Sequence, residues 1–373
     1  MAQRGDAQQL ALLQLNLISG IGPRIMSLLL NRFGDAVAVL RASAGDLLQV
    51  DGVGPKLSAA ITAARSCADA EAEWERCESN GVQLLFRDSA EYPEPLSRIC
   101  DAPPVLYVRG ELKPADSLAV ALVGSRQCTL YGRQVAGRLA AALCHAGVTV
   151  ISGLARGIDA AAHRGSIEAD GRTLAVCANG LGKVYPPEHR VLADEVVAHG
   201  ALLSESPFDR DPNKGLFPQR NRIISGMCQG VVIVEAGRGS GALHTARHAM
   251  EQGREVFAVP GRIDAPSSMG CHDLIRDGVT LVRSVDDILD ALGPLSAPVQ
   301  IGPERVVHAP RELNLNDQEL AILNLIETEP TAIDTVLAQS PLDSARVLST
   351  LTVLEMKRLI RRLPGGFVER TGR

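Results

Sequence analysis

A chain of 373 residues is long enough for two or three domains, one of them with a sizeable core. Its 46% hydrophobic and 22% charged residues are ordinary for a soluble globular protein, and no apolar run approaches the roughly 18 residues of a membrane span. The net charge of −5 excludes a protein coated in basic residues, so any nucleic-acid site has to be a local cluster of arginines in an acidic body.

Eight cysteines (Cys67, Cys77, Cys100, Cys128, Cys144, Cys177, Cys228 and Cys271) are scattered without a C-x-x-C pair, several inside apolar runs. With no secretory signal, this pattern points to a reduced, cytoplasmic protein whose cysteines pack as small hydrophobes. No metal site and no cofactor is expected. His244 and His248 have i,i+4 spacing on a predicted helix but lack the glutamate of H-E-x-x-H, and read as ordinary helix residues.

In chain order, residues 1–70 read as a helical domain. LISGIGPRIMSLLL (Leu17 to Leu30) and LLQVDGVGPKLSAAI (Leu47 to Ile61) share a glycine turn whose proline opens the following helix. The pattern resembles a tandem helix-hairpin-helix. It fits either a grip on DNA backbone or a small packing domain, since only Arg24 and Lys56 follow the hairpins with positive charge.

Residues 80–292 read as an extended Rossmann-like domain. VQLLF and PVLYVRG are predicted strands feeding the main sheet. LAVALVG, VTVISG, TLAVCANG, LLSESP, GVVIVEA, EVFAVPG and VTLV then alternate with helices such as Arg133 to His145 and Gly241 to Gln252. Short apolar strands spaced by helices predict an α/β fold, a doubly wound and mainly parallel sheet covered on both faces. A proline-rich linker is expected over 293–310. Residues 311–373 read as three helices and a hairpin turning on Pro364, Gly365 and Gly366, a winged helix. Its third helix carries Arg346 and Lys357 but also Glu355, so DNA reading and partner binding are both open.

The chemistry concentrates where the apolar strands break into glycine, serine and arginine. A dinucleotide fingerprint is missing: Gly124-Ser125-Arg126 follows the first of these strands and Ser152-Gly153 the second, without G-x-G-x-x-G or an acid for ribose. No G-K-[ST] occurs, and none of Ser125, Ser152 and Ser240 lies in G-x-S-x-G. Asp159 could act as a base with His163, but its place at a helix start suits a cap. Anion binding remains. Loop amides at Gly124-Ser125, Gly153 to Gly157 and Gly237 to Gly241 could each cradle a phosphate. Arg126, Arg156, Arg220 and Arg222 would neutralise several in a row, and Lys183 could extend the track. Tyr131, Tyr185 and Phe217 lie within a few residues of these loops in a chain only 3% aromatic. Several phosphates, arginine forks and occasional aromatics are what a single strand of nucleic acid requires.

The motifs VGSR, SGLARGIDAAAH, NGLGKVYPPEH, FPQRNRIISG, VVIVEAGRGSGALHTARHAMEQGREVFAVPG and GCHDLIRDGV follow one another from Val123 to Val279, within a resemblance that covers residues 17 to 290. In this the chain resembles the DNA-processing protein A (DprA, also called Smf) family, and the winged helix fits that family's third domain. The resemblance implies a non-enzymatic protein that binds and protects incoming single-stranded DNA, helps load RecA recombinase during natural transformation, and forms a homodimer through the Rossmann-like domain. It implies a phosphate contact at Arg126, within Gly124-Ser125-Arg126. Through FPQRNR it implies contacts at Phe217, Arg220, Asn221 and Arg222. Ser152, Gly153, Arg156, Gly157 and Lys183 belong to the same expected site, as do Gly239, Ser240 and Gly241. The fold is also similar to that of lysine-decarboxylase-like nucleotide phosphoribohydrolases, an enzymatic alternative. Ala242, Leu243 and His244 stand where the threonine and glutamate of that chemistry would be wanted.

Overall fold

Strands such as AVALV and GVVI carry no polar side chain, so neither of their faces tolerates water and each demands a covering layer of helices. The computed structural model describes residues 6–67, 69–293, 299–301, 305–327 and 329–371. Its central sheet has nine strands: β1 (Val82–Phe86), β2 (Val105–Gly110), β3 (Ala119–Val123), β4 (Thr149–Ser152), β5 (Thr173–Val176), β6 (Gly200–Ser204), β7 (Gly230–Ile233), β8 (Glu255–Ala258) and β9 (Thr280–Leu281).

Their order is β1-β2-β6-β5-β4-β3-β7-β8-β9. From β6 to β9 the neighbours are parallel, with Val120 of β3 facing Val150 on one side and Gly230 on the other. The expected extension is the antiparallel pair β1–β2, which joins the edge of β6 through Tyr107 opposite Ser204. The chain winds outward from β3 through β6, then returns to place β7 on the other side of β3. Strand order therefore reverses at β3, and a crevice opens at the C-terminal ends of the strands there.

One face of the sheet is covered by the helices Leu130–His145, Ile158–Glu168 and Arg190–His199, the other by Leu216–Gly226, Ala242–Glu251 and Met269–Arg276. The first two of these helices approach closely because both are glycine at the contact. A Cβ on Gly165 would overlap the backbone of Gly137. At the opposite end of the strands, buried Asp116 accepts hydrogen bonds from Arg172 Nε and Nη2 and from Thr149 Oγ1, tying together the starts of β3, β4 and β5.

The N-terminal helices pack as two reciprocal repeats. Gly20 and Gly52 have φ of 101° and 82°, Pro23 and Pro55 open the following helices, and Arg24 bridges to Asp51 across the turns. Leu13 and Gln14, both buried, dock this unit on the β1–β2 side, with Gln14 accepting from the Ala70 N–H. Near the C-terminus, the helices Asp317–Leu323, Ile333–Gln339 and Ser344–Met356 surround a small core. The strands Ile360–Leu363 and Phe367–Arg370 flank the expected turn, whose Gly365 and Gly366 both have positive φ.

The segment read as a linker is more ordered than its prolines suggest. Part of it, 294–298 and 302–304, lies outside the described residues. Val299–Ile301 and Arg305–Val307 pair antiparallel, and Val299 and Val307 are buried in the core with Leu118 and Leu292. One valine of each short run, Val299 and Val307, is buried, too brief an apolar signal to stand out in the sequence.

Gly165→Val should lower unfolding stability by about 2 kcal/mol, the middle of the range for overpacking a tight contact. A urea midpoint equal to that of the parent would contradict the close glycine crossing.

Candidate nucleic-acid interface

The loops that follow β5, β4, β3, β7 and β8 share one rim, which spans about 19 Å at about 4.8 Å per strand. At the reversal point they part into an open groove of about 880 Å³.

Glycine is obligatory at the centre of this rim. A Cβ on Gly124 would stand 2.5 Å from Ile158 Cγ1, and one on Gly153 would overlap the Arg220 guanidinium. Gly157, at φ 79°, lies against the backbone of Ser125 and Arg126. These absences let three loops converge on a buried polar layer.

That layer satisfies several of the loop amides internally. The Ser125 N–H donates to the Glu235 carbonyl at 2.7 Å, and the Ser240 N–H to the Gly237 carbonyl at 2.9 Å. Asp159 accepts from the N–H groups of Gly153 (3.1 Å) and Ala155 (3.3 Å). The Leu154 N–H donates to His163 Nε2 at 3.4 Å, and its carbonyl, 2.8 Å from His189 Nδ1, holds Leu154 at a positive φ of 57°. The amide cradle expected at Gly124-Ser125 and Gly153 to Gly157 is thus largely occupied by the protein itself. Asp159 braces the loop before its helix rather than capping the helix.

His163 is fully buried. Thr173 Oγ1 donates to the Val150 carbonyl and so accepts from His163 Nδ1–H at 2.7 Å, which leaves Nε2 as the acceptor for Leu154. The ring is neutral: burial, with His189 and Arg220 nearby, lowers its pKa from 6.5 to about 3. Burial pushes the Asp159 carboxyl upward, and the adjacent Arg220 opposes that shift. Neither group is free to act as a base. Glu235, also buried, accepts from Thr129 N–H and Oγ1, and Thr129 caps the Leu130–His145 helix through the Gly132 N–H.

Side chains supply the groove's donors. Arg126 is exposed, makes no ion pair among the described residues, and lies 4.5 Å over the Phe217 ring, whose centroid is 5.7 Å from that of Tyr185. Arg220 is 4% exposed and sits on the Leu216–Gly226 helix rather than in a loop. Its Nη1 donates to the Val176 carbonyl at 2.7 Å, while Nε has no hydrogen-bond partner among the described residues. Burial lowers its pKa and Asp159 counters, yet a guanidinium stays charged. Asn221, Gly239, Ser240 and Gly241 complete the far wall.

Other expected residues lie elsewhere. Arg222 is on the opposite side of its helix from Arg220, paired with Asp101 at 3.2 Å and with Glu205. The helical period, hidden in FPQRNR, separates two arginines that stand two positions apart in the motif. Lys183 pairs with Asp211 at 2.6 Å outside the groove, and Ser152 is buried with Oγ bonded to the Leu122 carbonyl. Arg156, paired with Glu188, borders a smaller cleft that Arg126, Gly153 and Phe217 also line. Lys214 was not anticipated. It lines the groove, is exposed, and has no ion pair among the described residues. Its position just before FPQRNR was the available signal. Among the described residues, no group of three His, Cys, Asp or Glu side chains is placed to hold a metal ion.

Residues 83–293 match the family described as DNA recombination-mediator protein A, and residues 307–366 match the DprA winged helix domain. Protein Smf of Escherichia coli is 40% identical over 286 residues, 76% of each chain. Protein Smf of Synechocystis is 32% identical over 96% of this chain and 98% of its own. The crystal structure of DprA from Streptococcus pneumoniae superposes with a TM-score of 0.67 at 31% identity, covering 78% of this chain and 99% of that one. A Helicobacter pylori DprA structure, described for its single-stranded DNA binding mode, gives a TM-score of 0.51 at 29% identity over 56% of this chain and 93% of its own.

His163 makes the rim sensitive to acid. The unfolded chain takes up a proton near pH 6.5 and the folded chain only near 3. The stabilisation is complete above pH 6.5 and declines as pH falls from 6.5 towards 3, at about 1.4 kcal/mol per pH unit. Between pH 7.5 and 5, urea unfolding of the parent should lose roughly 2 kcal/mol more than that of His163→Asn. Equal losses would show that the ring is not held neutral.

Proposed function

The chain belongs to the DNA recombination-mediator protein A family, and on that premise we propose that its groove binds single-stranded DNA. The protein protects that DNA in the cytoplasm and helps load RecA recombinase during natural transformation and recombination. It acts as a homodimer formed through the Rossmann-like domain and catalyses no reaction.

The observation that carries this reading is an exposed Arg126 stacked on Phe217 together with a buried Arg220, both lining one groove, where among the described residues Arg126 makes no ion pair and Arg220 Nε has no hydrogen-bond partner. Arg126 and Lys214 meet phosphates. Phe217 and Tyr185 offer faces to bases, and Asn221 and the Gly239-Ser240-Gly241 turn line the far side. A groove of stacking faces and separate cations suits a flexible strand whose bases are turned out. The single-stranded DNA of the Helicobacter relative's description supports the same choice of ligand. Arg222 and Lys183, being paired outside the groove, support the site indirectly.

The competing reading, a nucleotide-hydrolysing enzyme on this fold, has less support. Ala242, Leu243 and His244 provide no carboxylate at the wall of the groove, and Asp159 is bonded to loop amides.

Arg126→Ala should weaken binding of a labelled single strand in fluorescence anisotropy by about 1.5–3 kcal/mol, the range for a charge-assisted contact. The parent's affinity should fall steeply as salt rises, because several phosphates release counterions. Unchanged affinity in the variant, or a flat salt dependence, would place the site elsewhere or make it a small-molecule pocket.

A further inference from the structure

Beyond the β8 end of the groove lies apolar surface that neither the core nor the groove uses. Leu130 and Tyr131, the first two residues of the Leu130–His145 helix, are 63% and 49% exposed. Ile263, in the loop after β8, is 90% exposed. The segments that carry these side chains meet where Tyr131 bonds to Pro260, and exposed large apolar side chains on adjoining segments mark an interaction surface.

Two features place this surface on the path of a bound strand. The Tyr131 hydroxyl donates to the Pro260 carbonyl at 3.1 Å, which fixes the ring across the start of the loop that carries Ile263. That same loop lines the groove with Pro266 and Ser267, and the turn leading to Tyr131 lines it with Gln127. The two segments that carry the apolar side chains therefore also contribute residues to the groove. Charge agrees with a nucleic-acid occupant. Arg262 balances Asp264 beside Ile263, and exposed Arg133 makes no ion pair among the described residues.

Resting on the reading of the groove as a single-strand site, we propose that the strand leaves it over Leu130, Tyr131 and Ile263, where its bases stack. The groove has one aromatic cluster, Phe217 with Tyr185, at its β5 end; Tyr131 supplies a second platform at the β8 end. A pre-oriented phenol ring loses little freedom when a base settles on it, and stacking accepts any base. The shelf would lengthen the bound segment without adding sequence preference.

Binding would be compared for an oligonucleotide of about 4 nucleotides and one of about 12, the span of site sizes for such platforms. Tyr131→Ala and Ile263→Ser should leave the short oligonucleotide's affinity unchanged and weaken the long one about tenfold. Tyr131→Phe, which keeps the ring, should bind the long one nearly as the parent does. A 2-aminopurine placed along the long oligonucleotide should lose its stacking quench at one end only in Tyr131→Ala. Unchanged long-strand affinity with unchanged quenching in both variants would overturn the shelf. An equal loss on both lengths would overturn it too, by making Tyr131 a prop for the Pro260 loop. Arg126→Ala serves as the control. Loss of both lengths there keeps the groove in place whatever the shelf does, whereas no loss at either length would sink the groove and the shelf with it.

Discussion

The rim depends on one burial: the Arg220 guanidinium lying against Gly153, bonded to the Val176 carbonyl and facing the Asp159 carboxylate across the loop. A charge removed from water at this depth is tolerated only with a counter-charge and hydrogen bonds at close range. Asp159 answers Arg220 while holding the Gly153 and Ala155 amides, so the same pair sets the loop's shape. Gly153 must lack a side chain for the guanidinium to fit, and Gly157 must take a positive φ for the chain to pass under Ser125. The buried guanidinium and the carboxylate whose charge favours it thus brace the segment Gly153 to Asp159 and the floor of the groove together.

The neighbouring loops are braced in the same manner. Glu235 holds Thr129 and, through its carbonyl, Ser125; His163 and His189 hold Leu154. Such a rim arrives at its ligand already ordered, so little conformational entropy is lost on binding. The amides of Ser125, Gly153, Leu154, Ala155 and Ser240, though, are consumed in the bracing. On the proposed reading, ligand recognition passes to side chains that reach out of the scaffold, namely Arg126, Lys214, Phe217 and Asn221. That division suits a strand whose phosphates and bases do not sit in one fixed arrangement.

Much of this was legible in the chain. Uninterrupted apolar strands gave the parallel sheet, and their abrupt endings in glycine, serine and arginine located the rim, because period and composition are local properties. Arg126 was legible for the same reason, as an arginine directly after a strand. Arg222 was not. FPQRNR looks like a loop motif, yet it is helical, and two residues along a helix turn a side chain to the opposite side. The consumption of loop amides was equally hidden, since it requires knowing that Glu235, 110 positions from Ser125, returns to the same point. Lys214 escaped because one lysine in an acidic body gives no pattern, and Val299 and Val307 because runs of three residues are too short to show a period.

A photoreactive single-stranded oligonucleotide crosslinked to the whole protein, with the attached residues mapped by mass spectrometry, tests the central claim most directly. Attachment at Phe217, Tyr185 or the Gly239–Gly241 turn is the expected result, and it would place bases along the groove at the sheet's reversal point. Attachment confined to the winged helix or to the N-terminal hairpins would contradict the account and make the rim a structural feature alone.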